Sequence, residues 1–192
     1  MTDRERWIYA LPTSETRDHL TKILGAHGFA VSEIEAGGKV SKWTAEAEAA
    51  AFVVFDRDDL DVTLIEAQGS GVVTALGALL AKTGFYAQSA LLESAFDVTT
   101  EDSRKALLTL AHMVVAWDED WADLFLLHLA SPDPIVRHDA VTALTVATLV
   151  ARSKGPAPEL LAEAAERETF PKLKETIEDA RKCVAAIADE PS

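Results

Sequence analysis

A change in hydrophobic periodicity near residue 70 constrains the fold of this chain more than any other feature of its sequence. Before that point, short apolar runs of strand length are separated by polar turns. After it, apolar residues recur every three to four positions over stretches of helical length. We therefore predict an α+β protein with two modules, residues 1–70 and residues 71–192.

The first module is predicted to be a strand and a helix followed by a small, mostly antiparallel sheet. A β-rich run over residues 7–11 ends at Pro12, and Thr13 or Ser14 is a candidate N-cap for a helix that ends at Gly28. A further strand is predicted to start over residues 29–31, and Gly37-Gly38 is a predicted hairpin turn, with Val31 and Ile34 before it and Val40 and Trp43 after it. Strands are also predicted over residues 43–49, 52–55 and 61–66. Residues 43–49 also suit a helix, and we favour a strand there.

The second module is predicted to be helical throughout. Its helices cover residues 72–82, 86–96, 101–117, 120–130, 134–151, 159–168 and 172–188. The breaks between them carry glycine, proline or N-cap residues. Paired helices at a repeating interval are typical of a solenoid.

The most specific motif of the chain lies between Leu126 and Leu144. A leucine-rich helix is followed by Ser-Pro-Asp-Pro-Ile-Val-Arg at residues 131–137 and then by Ala140 and Leu144 on one helical face. This pattern resembles a HEAT repeat, in which a leucine-rich helix meets a D-P-x-P-x-V-R turn before a second helix. Ser131 stands where the family usually has the first aspartate of the turn, which leaves open whether an aspartate–arginine ladder joins neighbouring repeats.

Weaker copies of the motif, around Arg104 and around Phe170-Pro171, extend the resemblance to about three repeats over residues 86–189. HEAT-like repeats provide extended concave surfaces for proteins and peptides, and small acidic bacterial proteins of this kind include immunity-type inhibitors and adaptors. The resemblance therefore implies a protein-binding module or adaptor. It leaves open a HEAT-like enzyme, such as a lyase that attaches bilins to phycobiliproteins.

The charge and the cysteine content of the chain indicate which class of binding partner and which cellular compartment to expect. With 32 acidic and 18 basic residues the net charge is −14, which repels nucleic acid and anionic membranes and favours a protein partner with a basic surface. Cys183 is the only cysteine, which excludes an intramolecular disulfide, and no apolar stretch of signal length occurs at the N-terminus. We expect a cytoplasmic protein.

Residues 52–58 offer an alternative chemistry. The run Phe-Val-Val-Phe-Asp-Arg-Asp looks like the apolar strand and D-x-D motif of haloacid-dehalogenase-type phosphatases, which would make Asp56 the nucleophile and Asp58 the acid. Leu60 stands where threonine or valine is usual, and no second acidic motif for Mg²⁺ is evident. We therefore expect a polar turn over residues 56–60, and a divergent phosphatase stays an alternative.

Histidines are the remaining metal candidates, at positions 112, 128 and 138. His128 shares a helical face with Trp121 and Leu124, so we expect it to be packed and hydrogen-bonded. We predict no catalytic residue, no metal site and no cofactor.

The segment from residue 117 to residue 123 has the most unusual local composition, because four carboxylates surround two tryptophans. In one interpretation the acids favour a helix N-terminus and the tryptophans pack in the core. In the other, an aromatic anchor ringed by charge binds a partner. The candidate partner-binding residues are Trp117, Asp118, Glu119, Asp120, Trp121 and Asp123.

Overall fold

A computed structural model describes residues 6–35, 39–45 and 50–187 of the chain, without the side chains of residues 14–18, 70, 119 and 120. It confirms the α+β class, with an antiparallel five-stranded sheet in the N-terminal part and helices in the remainder. Contacts divide the chain into two compact units, Met1–Ala87 and Gln88–Ser192. This division comes later than the change in periodicity at residue 70.

The sheet belongs to the first unit and has the order β1-β5-β4-β3-β2, with every neighbouring pair antiparallel. Its strands are β1 (Arg6–Pro12), β2 (Phe29–Ile34), β3 (Val40–Ala45), β4 (Ala51–Arg57) and β5 (Val62–Gln68). Strand β3 confirms the strand interpretation as far as residue 45. The predicted turn at Gly37-Gly38 and residues 46–49 lie outside the described residues.

The described residues of the first unit also form two α-helices, α1 (Thr13–Ala26) and α2 (Val73–Thr83), and a short 3-10 turn at Ser70–Val72 precedes α2. They share a hydrophobic core with one face of the sheet, which explains why the first unit extends past residue 70. Gly28 has φ 82°, so the predicted left-handed end of α1 is confirmed. The predicted N-cap, Thr13 or Ser14, is wrong, because Pro12 occupies the N-cap position and no side chain caps the helix.

The described part of the second unit consists of helices, whose bounds are α3 (Gln88–Ala95), α4 (Glu101–Ala111), α5 (Glu119–Leu129), α6 (Pro134–Ala151), α7 (Ala157–Arg167) and α8 (Pro171–Ala185). Each of α3, α5 and α7 packs against the helix that follows it. In addition, α4 packs on α6 and α6 packs on α8. One continuous core fills the space between them, with Leu107, Phe125 and Leu144 fully buried.

The start of α6 follows the sequence prediction closely. The Asp133 side chain accepts a hydrogen bond from the Ile135 amide at 2.8 Å, and Pro134 occupies the first turn. The end of α4 differs, because this helix stops at Ala111 instead of Trp117. Tight turns end the helix there: the Met113 amide donates a hydrogen bond to the Leu110 carbonyl, three residues earlier, at 2.7 Å.

Candidate protein-binding surface

Trp117 lies in the loop between α4 and α5 and is held from two sides. Its Nε1–H donates a hydrogen bond to the Ser153 carbonyl at 2.9 Å. Its ring meets Phe125 edge to face, with the centroids 6.1 Å apart. The indole therefore links α5 to the turn that follows α6.

That turn approaches the indole so closely that it requires a glycine. Gly155 has φ 47°, and a Cβ atom built there would lie 2.5 Å from Cδ2 of Trp117 and would overlap the rest of the ring edge. Arg152, in the same turn, is also left-handed at φ 53°. Trp117 is thus a fixed part of the second unit, half-buried against backbone.

Trp121 lies in the first turns of α5 and is 4% exposed. Its ring stacks on Phe125 with an interplanar angle of 26°. It belongs to the core of the second unit together with Leu124. These placements favour the interpretation in which both tryptophans pack in the core.

The acids of the segment are divided between the loop and the helix. Asp118 and Asp123 are exposed. Glu119 and Asp120 start α5, and their side chains lie outside the described part of the structure. Carboxylates at this end of a helix are stabilised by its macrodipole.

The sequence analysis missed two exposed leucines that follow these acids on α5. Leu126 is 36% exposed and Leu127 is 41% exposed. Residues three and four positions apart are neighbours on a helix surface, so both leucines lie beside Asp123. We call Asp118, Asp123, Leu126 and Leu127 the α5 surface.

His128 lies on the buried side of the same helix and is 0% exposed. Its Nε2 is 2.6 Å from the Ala95 carbonyl, which also accepts a hydrogen bond from the Ser103 hydroxyl at 3.0 Å. Burial lowers the pKa of His128 below its ordinary value. The prediction of a packed, hydrogen-bonded histidine is confirmed.

Two ion pairs join successive helical hairpins of the second unit. Arg104 on α4 donates from Nε to Asp139 on α6 at 2.6 Å. Arg137 on α6 donates from Nε to Glu168, just before α8, at 2.8 Å. The side chain of Glu168 is 2% exposed and also accepts a hydrogen bond from the Phe170 amide at 2.8 Å.

The hydrogen bond from Arg137 is the main reason why the pKa of Glu168 lies below its ordinary value. The same contact raises the pKa of Arg137. Arginine and acid thus connect α4 to α6, and α6 to the segment between α7 and α8. The Ser131 carbonyl also accepts a hydrogen bond from Arg137 at 2.8 Å.

The D-x-D segment lies in the first unit, at the antiparallel connection between β4 and β5. Asp56 still belongs to β4, is 8% exposed and accepts a hydrogen bond from the Thr63 hydroxyl at 2.8 Å. Asp58 follows in the turn and pairs with Lys39 at 2.9 Å. The two aspartates therefore have different neighbours: Asp56 is bonded within the sheet, and Asp58 is exposed.

Within the described ranges, no three His, Cys, Asp or Glu side chains come together in a way that could hold a metal ion. The helices described there include none of the length and hydrophobicity needed to cross a membrane. Comparisons with protein-family models, with curated proteins and with solved structures found no match to the chain.

Proposed function

We propose that the second unit is a HEAT-like stack of three helical hairpins that binds another protein with a basic surface, as an adaptor or an immunity-type inhibitor. The pairing of α3 with α4, α5 with α6 and α7 with α8 supports this arrangement. So do the contacts from α4 to α6 to α8, which repeat one packing relation along the chain. The Arg104–Asp139 and Arg137–Glu168 ion pairs join successive hairpins in the same direction.

The single observation that carries the proposal is the α5 surface. Leu124 and Phe125 of the same helix are 0% exposed, whereas Leu126 and Leu127 expose more than a third of their area each next to Asp123. Apolar side chains with a charged rim are the composition from which protein interfaces are built. The rim is acidic and the net charge of the chain is −14, so the complementary partner is basic.

A capture experiment from the source cell tests this proposal. The double variant Leu126→Ser/Leu127→Ser removes the exposed apolar area and keeps the acids. A matched control, Ile135→Ser/Leu149→Ser, removes two apolar side chains of α6 that are 54% and 50% exposed. We expect the wild type and the α6 control to retain a basic protein that the α5 variant loses, with all three melting at similar temperatures.

Two outcomes would contradict the proposal. Equal capture by the α5 variant and the wild type would show that the α5 surface takes no part in binding. Loss of the partner from the α6 control alone would move the binding site to α6. In either case the α5 surface would be only the solvent-facing side of a packed helix.

A further inference from the structure

The two edges of the sheet in the first unit differ in how they are covered. At the β1 edge, the Tyr86 amide donates a hydrogen bond to the Ala10 carbonyl at 2.8 Å. The Phe85 ring meets Tyr9 edge to face, with the centroids 5.6 Å apart. The segment after α2 therefore covers β1.

The β2 edge is open in the part of the chain that the structure describes. Every residue of β2 after Phe29 is exposed, including Val31 at 42% and Ile34 at 62%. The backbone of an uncovered edge strand offers N–H and C=O groups to another strand. Monomeric proteins commonly blunt such an edge with proline, charged side chains or a β-bulge. Strand β2 contains no proline or lysine, but it carries Glu33 and a bulge, so an added strand must fit both.

The register shows which side chains an added strand would meet. Val31 pairs with Trp43 and Ile34 pairs with Ser41, while a bulge between Val31 and Glu33 shifts the strand by one residue. Because of this shift, Val31 and Ile34 both lie on the face where Trp43 is buried in the core. Glu33 pairs with Lys42 and faces the opposite side.

We propose that β2 binds an extended strand of a partner protein whose side chains are alternately apolar and basic. Apolar residues of that strand would cover Val31 and Ile34, and basic residues would face Glu33 and the exposed Glu35. The backbone ladder would supply affinity, and the alternating side chains would supply specificity. This inference concerns the first unit and is independent of the function proposed for the second.

Charge favours such a partner over a second copy of this chain. Antiparallel pairing of two β2 strands about their centre brings the two Glu33 side chains to diagonal positions, where like charges repel. The net charge of −14 on each copy adds to that repulsion. A basic strand meets attraction at the same positions.

The test uses the whole protein and a fluorescent seven-residue peptide, Lys-Val-Lys-Ile-Lys-Val-Lys, with blocked ends. Binding is measured by anisotropy, and the site is located by hydrogen exchange of the backbone amides. We expect the peptide to slow exchange within residues 30–34 by about tenfold or more. The amides of alternate residues lie on opposite edges of an extended peptide, and a peptide strand added to β2 pairs through only one of its two edges. Two N-methylated peptides therefore provide the control, one methylated on the amides of one edge and the other on the amides of the opposite edge.

One methylated peptide should bind at least tenfold more weakly than the other. A second test compares Val31→Lys/Ile34→Lys with the control Val73→Lys, which changes a 56% exposed residue of α2. The β2 variant should weaken binding tenfold or more and the control should not, because two added lysines repel the peptide and remove the apolar contact. If the β2 variant does not fold, the two methylated peptides still test whether the peptide binds as an added strand.

Three results would overturn the proposal: no binding at millimolar peptide, equal binding by both methylated peptides, or protection outside residues 30–34. Equal binding would mean that the negative charge of the protein alone attracts the lysines. A concentration-dependent dimer that protects residues 30–34 without peptide would assign the edge to a second copy instead.

Discussion

Replacing Gly155 by alanine tests the close packing of Trp117. The added Cβ atom would overlap the indole ring, which lies 2.5 Å away at Cδ2, so the ring must move. That movement gives up the hydrogen bond from Nε1 to Ser153, a loss of about 1 kcal/mol. Repacking the ring costs a further 1–3 kcal/mol or so. Holding alanine at φ 47° adds about 1 kcal/mol, so Gly155→Ala should destabilise the second unit by about 3–5 kcal/mol.

Equilibrium unfolding in urea, followed by far-UV circular dichroism, measures this loss. The same substitution in a Trp117→Ala background should cost only the strain of about 1 kcal/mol, because the clash is gone. Gly77→Ala in α2 is the control, since its Cβ would meet no atom within 4 Å. It should be neutral or should stabilise by up to about 1 kcal/mol. A Gly155→Ala protein as stable as the wild type, or equal losses in both backgrounds, would refute the reasoning.

Three further substitutions have defined outcomes. Ala140 is 0% exposed, so Ala140→Arg should cost several kcal/mol by overpacking and burying a charge, and an unchanged melting temperature would contradict the helix packing. Glu168→Gln should cost about 1–3 kcal/mol at pH 7 by weakening the contact with Arg137. Because the pKa of Glu168 is lowered from 4.5 in the folded state, the stabilisation that its ionised side chain contributes is present above pH 4.5 and is lost as the pH falls through the folded-state pKa. Urea unfolding measured over that pH range should show this pH dependence of the free energy of unfolding in the wild type and not in the variant. The pKa of His128 is lowered from 6.5, so stability should fall as the pH drops below 6.5, and His128→Gln should remove that dependence.

Local signals predicted much of the fold. Gly28 marks the end of α1 because its left-handed conformation favours glycine, and Asp133-Pro134 marks the start of α6 because both residues suit a helix N-terminus. The end of α4 was missed for the opposite reason. Residues 112–117 contain neither glycine nor proline, so nothing in their sequence interrupts the helical pattern.

Tertiary packing decided the features that local signals could not. The helix α2 has the periodicity of the later helices, yet its buried face packs with the sheet. Periodicity shows that a helix has an apolar face but not which partner covers it. The assignment of α2 to the first unit therefore depends on contacts that are distant in sequence.

The candidate site shows the same limit at the level of single residues. Residues 124–127 are all apolar, so composition alone does not separate the buried Leu124 and Phe125 from the exposed Leu126 and Leu127. The sequence analysis placed Trp121, Leu124 and His128 on one buried face, and the position of Leu126 and Leu127 off that face could have identified them as exposed. The pairing of Arg137 with Glu168 had no such signal, because it joins residues of different hairpins.

The association rate of the captured partner, measured against ionic strength, tests the central claim most directly. The variant Asp118→Lys/Asp123→Lys reverses two charges of the α5 surface, and Glu175→Lys/Asp179→Lys makes the same change in net charge on α8. We predict that salt slows association of the wild type and that the α5 variant associates about tenfold more slowly at low salt, with a smaller change in dissociation. The α8 control should associate at nearly the wild-type rate. An association rate that salt does not change, or an α5 variant that binds as fast as the wild type, would contradict the account.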